Sequence, residues 1–130
     1  MRRKLTLEKS VRHLIAAPFI WGMAVPVAFA DICAEIYHRV AFPLYGIPYV
    51  KRSEYIRIMD RAKLPYLTWW EKFNCAYCGY VNGWLHYASA IAGETEKYWC
   101  SIKHLEERGY KAPPHEKDFI AYGDEKALRE

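Results

Sequence analysis

Hydrophobic and polar positions along the chain divide it into two unlike halves. Leu14–Ala30 is a run of 17 residues without a charge, preceded by Arg2, Arg3, Lys4, Lys9 and Arg12. After it, Ile32, Cys33, Ile36, Tyr37 and Val40 recur at helical spacing, with Asp31, Glu35 and Arg39 off that face. A second uncharged run, Val40–Val50, contains Pro43, Gly46 and Pro48 and ends at Lys51-Arg52. Ser53 is placed to cap a short helix through Ala62, which Pro65 closes by excluding Leu64 from helix. Thr68 precedes one or two further turns over Trp69–Asn74. From Tyr80, Val81, Trp84, Leu85, Ala88, Ile91 and Ala92 form an apolar stripe, and Asn82, His86, Ser89 and Gly93 a polar one. Gly93 is the expected helix stop, in a left-handed conformation. Thr95 then caps a second helix, Glu96–Arg108, ended by Gly109, so that 80–92 and 96–108 make an αα-hairpin. The remaining 110–130, with Pro113-Pro114 and five acids, reads as an extended acidic tail with Phe119, Ile120 and Tyr122 as a docking anchor.

Composition sharpens this picture in one respect. The chain is 130 residues long, 52% apolar and 16% aromatic, which fits one small folded domain and excludes wholesale disorder. Residues 1–65 carry 11 Lys/Arg against 5 Asp/Glu, whereas residues 66–130 carry 8 against 10. A basic half rich in apolar stretches fits an anionic membrane surface, and no phosphate loop or nucleic-acid motif accompanies it. A 17-residue helix rises only about 25 Å, short of the ~30 Å hydrocarbon core. Basic residues also flank the block 14–50 on both sides, which places both flanks on the cytoplasmic side. These features favour an uncleaved, Pro-kinked element in or on the inner leaflet of a bacterial inner membrane. Two other readings stand beside it. One is a cleaved signal ending Val27-Ala28-Phe29-Ala30, and the other is the core of a soluble helical domain.

Chemistry concentrates in Cys75-x2-Cys78-x21-Cys100-x3-His104. Two thiolates at CxxC spacing can grip one ion, and a Cys and a His four apart on a helix face the same side. Three thiolates and one imidazole suit a closed tetrahedral zinc site, with iron as the alternative ion. The arrangement requires a chain reversal, because an unbroken helix would hold Cys78 and Cys100 about 33 Å apart. A redox CxxC pair, or plain buried cysteines with an exposed His104, are the competing readings. Cys33 lies on an apolar face and is expected in the core, and His86 is a polar-face residue within reach of a ligand role.

The segments Asn74–Gly83 and Thr95–His104 resemble a family of small uncharacterised bacterial membrane-associated proteins with the pattern NCxYCxYxNG … TExYWCxIKH. The resemblance extends to Phe42–Pro48 and Asp60-Arg61, and it implies no activity. Where that family has Pro after its third cysteine, this chain has Ser101, which leaves Cys100 at a helix boundary. A weaker resemblance is to the AhpD-like carboxymuconolactone decarboxylases, whose CxxC is followed by a histidine four residues on. Asn82 stands at that position here and cannot serve as a base.

The expected protein is therefore all-α. It has a membrane-associating element at 1–50, a helical domain at 51–109 stapled by Cys75, Cys78, Cys100 and His104, and a tail at 110–130. The expected role is a structural zinc protein serving a membrane complex as accessory or adaptor subunit, with no nucleic acid and no small-molecule substrate. Thiol-disulfide exchange at Cys75/Cys78 and iron-based electron transfer are the alternatives.

Overall fold

A computed structural model describes residues 7–58 and 60–130, with side chains described from Ser10 onward. It is mostly helical, with no strand among the described residues. The helices are α1 (Leu7–Gly22), α2 (Ala24–Tyr45), α3 (Arg52–Tyr55), α4 (Trp69–Trp99) and α5 (Glu125–Arg129). Two 3-10 helices, Arg61–Lys63 and Pro114–Asp118, lie between them. The chain divides into two compact units, Met1–Ile36 and Tyr37–Glu130.

The first helices are nearly continuous. Only Met23 separates α1 from α2, and the ladder resumes with the Val27 amide donating to the Met23 carbonyl at 3.2 Å. Pro26 explains the interruption, since a proline ring collides with the carbonyl four residues earlier, here that of Gly22. Pro18 and Pro43 lie inside helices. Helix thus persists where a deeper break was expected, and Ser10–Tyr45, 36 residues, is long and apolar enough to cross a membrane. At 1.5 Å per residue it rises about 54 Å. Only 11% of its most apolar window is buried, unlike the core helix of a soluble domain. Cys33, expected in a core, is exposed, as are Ile32, Ile36 and Val40. Along α2 the buried positions are instead Val27, Asp31, His38 and Phe42.

In the second unit, Gly46 (φ +68°) ends α2, and the Ile47 amide donates to the Phe42 carbonyl at 3.0 Å. The largest fully buried side chains among the described residues are Tyr87, Phe42 and His38. The Val50 amide donates to His38 Nε2 at 3.1 Å, so Nδ1 carries the ring proton and donates to the Tyr87 hydroxyl at 3.0 Å. Phe42 meets the same imidazole edge-on at 4.5 Å and Tyr49 stacks on it at 4.0 Å. One side chain thereby ties the end of α2 and the following loop to the middle of α4.

The segment after α2 departs from the single helix expected over 53–62. Among the described residues of that range only Arg52–Tyr55 is α-helical, Ile56 is extended, and Arg61–Lys63 forms a 3-10 turn. Gly79 and Gly83 of α4 account for this course. A Cβ on Gly79 would stand 3.0 Å from the Arg57 carbonyl, and one on Gly83 would stand 2.7 Å from the Tyr55 carbonyl. Two glycines one turn apart let extended backbone lie directly on the helix.

Helix α4 corrects the expected hairpin. It begins at a capping box, in which the Thr68 amide donates to Glu71 Oε2 at 2.8 Å and the Glu71 amide donates to Thr68 Oγ1 at 3.3 Å. It then runs 31 residues without interruption. Gly93 is helical and Thr95 is no cap, because its hydroxyl donates back to the Ile91 carbonyl at 2.9 Å. Lys97 pairs with Glu94 at 2.8 Å across the supposed turn. The helix ends at Cys100, leaving 101–108 without helix. A parallel bridge between Ile102 and Ile120 then brings the C-terminal segment back against α4. The tail is therefore folded and not an extended arm; of the three expected anchor residues Phe119 is buried and Ile120 half-buried, whereas Tyr122 is exposed.

Candidate metal centre

The unbroken α4 separates the four residues proposed as a zinc tetrad. Cys75 and Cys78 lie one turn apart in its first half, and Cys100 caps its far end, about 33 Å from Cys78 along the axis. One ion within one chain cannot be shared by the two pairs, so the Cys3His site is withdrawn. Cys78 is exposed and Cys75 half-buried. Cys78 lines a cleft of 300 Å³ with Arg57, Arg61, Asn82 and His86. Asn82 donates its amide to the Cys78 carbonyl at 2.9 Å, a helix contact with no catalytic part.

His104 alone of that tetrad reaches a cluster of metal-ligating groups, at the other end of α4. Glu96 stands on the last turn of the helix. The bridge at Ile102, with the Lys103 amide donating to the Ile120 carbonyl at 2.8 Å, holds 101–104 beside the returning chain. Pro113 and Pro114 start the 3-10 helix that carries His115 and Glu116. The approach of His115 depends on Gly93, where a Cβ would sit 2.9 Å from the imidazole Cγ. From that seat His115 Nε2 contacts Glu96 Oε2 at 2.6 Å. Ligand atoms of Glu96, His115 and Glu116 all lie within 4.8 Å of one another. His104 Nε2 is 3.8 Å from both Glu96 Oε1 and Glu116 Oε1.

Glu116 is the unusual member. It is 2% exposed, and its Oε2 has no hydrogen-bond partner. Its Oε1 accepts from the Tyr110 hydroxyl at 3.3 Å. An unsatisfied buried carboxylate oxygen costs several kcal/mol unless a cation or donor reaches it. Around Tyr110, partial burial, then the charges of Glu116 and Glu96, raise the phenol above its ordinary range and keep it a donor. His104, by contrast, is 63% exposed at the side chain. It forms, with Glu116, Tyr110, Lys103 and Lys117, part of the wall of a 370 Å³ cleft. The cluster is thus closed on the helix side and open on the cleft side.

His104 is expected from its spacing in the cysteine tetrad, whereas no sequence pattern points to His115. Glu96, His115 and Glu116 carry no spacing signal, because 19 residues separate His115 from Glu96 and only the bridge at Ile102 and Ile120 brings them together. The one available hint was Gly93 inside an otherwise helical pattern. No protein-family model, curated protein sequence or solved structure matches the chain, so the site is read from its own geometry.

Proposed function

We propose that this is a membrane-anchored metal-binding protein whose ion is held by Glu96, His115 and Glu116, with His104 as the fourth ligand from the cleft side. The observation that carries the reading is the buried Glu116 carboxylate with an unpartnered oxygen, facing two imidazoles and a second carboxylate. Two imidazoles and two carboxylates suit Zn²⁺ or Fe²⁺, and the two negative charges neutralise a divalent ion. Zinc is the expected ion. The ion would replace the proton that His115 and Glu96 share, so binding releases protons and weakens in acid. The apolar helix Ser10–Tyr45, with its exposed Leu14, Phe19, Val25 and Phe29, supports membrane anchoring. An accessory or adaptor role in a membrane complex is consistent with both features.

Metal titration of the purified full-length chain tests this reading. One divalent ion per chain is expected, lost in Glu116→Gln and His115→Ala. Absence of stoichiometric binding, or binding unaffected by both substitutions, would overturn it.

A second reading rests on Cys75 and Cys78, one helical turn apart, with Cys78 in a cleft that also holds Arg57 and Arg61. Residues at i and i+3 of a helix approach within the Cα range that a disulfide spans, so dithiol–disulfide exchange is sterically open. Loss of function in Cys78→Ser with metal content intact would favour it.

A further inference from the structure

We propose that the cleft beside this centre binds a small molecule bearing an oxyanion, a phosphate or carboxylate, which takes a position on the metal facing the cleft. The inference rests on the metal reading and names the ligand class of that site.

Four observations point the same way. The cleft encloses 370 Å³, the lower range of small-molecule pockets; Glu116 belongs to both the cleft wall and the metal cluster, and His104 of the wall stands 3.8 Å from its Oε1. A molecule seated there therefore lies against the ion. Lys103 and Lys117 line the same cleft, with Glu106 as the one carboxylate besides Glu116. Once Glu96 and Glu116 are neutralised by a divalent ion, the wall carries two cations against one anion. The remaining wall, Ala112, Pro113 and Pro114, is apolar and suits a short hydrocarbon body. His104 is the exposed member of the four-ligand shell, against half-buried Glu96 and His115 and buried Glu116, so an exogenous oxygen enters on the cleft side by displacing it or as a fifth ligand.

The lysine side chains are separable from the fold. Lys103 holds the bridge through its backbone amide, which a side-chain substitution retains, and Lys117 is exposed. The test uses the full-length chain in detergent, first titrated with Co²⁺ as a spectroscopic stand-in for zinc. Inorganic phosphate and acetate are then added separately, and the Co²⁺ absorption band and calorimetric heat are followed. Phosphate or acetate should shift the band and bind saturably, and Lys103→Ala/Lys117→Ala should weaken that binding at least tenfold with metal stoichiometry unchanged. The stronger of the two responses identifies the headgroup. One cobalt per chain with no response to either oxyanion, or an equal response in the double variant, overturns the oxyanion inference and leaves the metal reading standing. Failure to bind cobalt at all removes both. A metal-free protein that binds the oxyanions equally well would also overturn the inference, because the ion would have no part in it.

Discussion

The imidazole of His115 rests on the bare backbone of Gly93, where a single added methyl carbon would come within 2.9 Å of the ring Cγ and 3.0 Å of Nδ1. This contact converts a glycine that costs helix stability into the seat of a site. Relative to Ala, glycine within a helix loses about 1 kcal/mol. Here that loss is accepted because only glycine lets His115 reach Glu96.

Gly93→Ala should therefore displace His115 and lower metal affinity by at least tenfold. The helix itself should lengthen in stability, so the circular-dichroism signal should not fall. Titration of metal into wild type and variant, with the helical signal recorded alongside, checks both halves of this expectation.

Glu116→Gln separates a ligand from a structural carboxylate. The metal-free protein should lose little stability, because the amide keeps an acceptor for Tyr110 and removes an unpaired buried charge. Metal at about 100 times its dissociation constant should stabilise wild type by ~2.7 kcal/mol and leave this variant unmoved. Thermal melts with and without zinc measure the difference. A variant that melts far below metal-free wild type would show that Glu116 holds the fold without an ion.

The buried imidazole of His38 predicts a large effect far from the site. His38→Ala removes the hydrogen bonds to the Val50 amide and the Tyr87 hydroxyl and three ring contacts, with Phe42, Tyr49 and Tyr87. A cost of about 3–5 kcal/mol is expected from the lost packing and the lost hydrogen bonds together. Tyr87→Phe, which removes the hydrogen bond to His38 and keeps the ring, should cost about 1–2 kcal/mol. Denaturant unfolding of the two variants should preserve that order.

Much of this architecture was legible in the chain, and its failures have physical causes. Periodicity and capping located the all-helical class, the apolar stripe containing Trp84 and Ile91, and a helix start at Thr68, though as one or two turns and not as the start of a 31-residue helix. Gly93 was read as a stop because glycine at a helix end and glycine under a close contact look alike in sequence. Only the side chain of His115, 22 positions away, tells them apart. The same ambiguity hid Gly79 and Gly83, whose bare faces carry the extended segment after α3. The cysteine spacing was compelling only on the premise of a reversal at 93–95. Without that reversal the tetrad dissolves, and of its members only His104 remains beside potential ligands.

Gly83→Ala tests that packing directly. Its Cβ would meet the Tyr55 carbonyl at 2.7 Å and Ile56 Cα at 2.9 Å, both backbone atoms that cannot rotate away. A loss of about 1–3 kcal/mol is expected, against the gain that alanine brings to an unobstructed helix. Equilibrium unfolding would contradict this if the variant proved more stable than wild type.

Tyr110 supplies a pH dependence. Its folded-state value is raised by burial and by Glu116 and Glu96, so the neutral phenol is favoured in the folded protein. That contribution is whole below the ordinary phenol value of about 10 and is lost as pH rises through the raised one. A metal on the two carboxylates cancels their charge and should move tyrosinate formation to lower pH. The difference in tyrosinate absorbance between wild type and Tyr110→Phe, with and without zinc, reads this shift.

The most direct measurement is metal stoichiometry by equilibrium dialysis on the full-length chain and two sets of variants. The account predicts one zinc per chain in wild type and in the triple variant Cys75→Ser/Cys78→Ser/Cys100→Ser, and none in Glu96→Gln/Glu116→Gln. Zinc lost with the cysteines and kept without the carboxylates would contradict it.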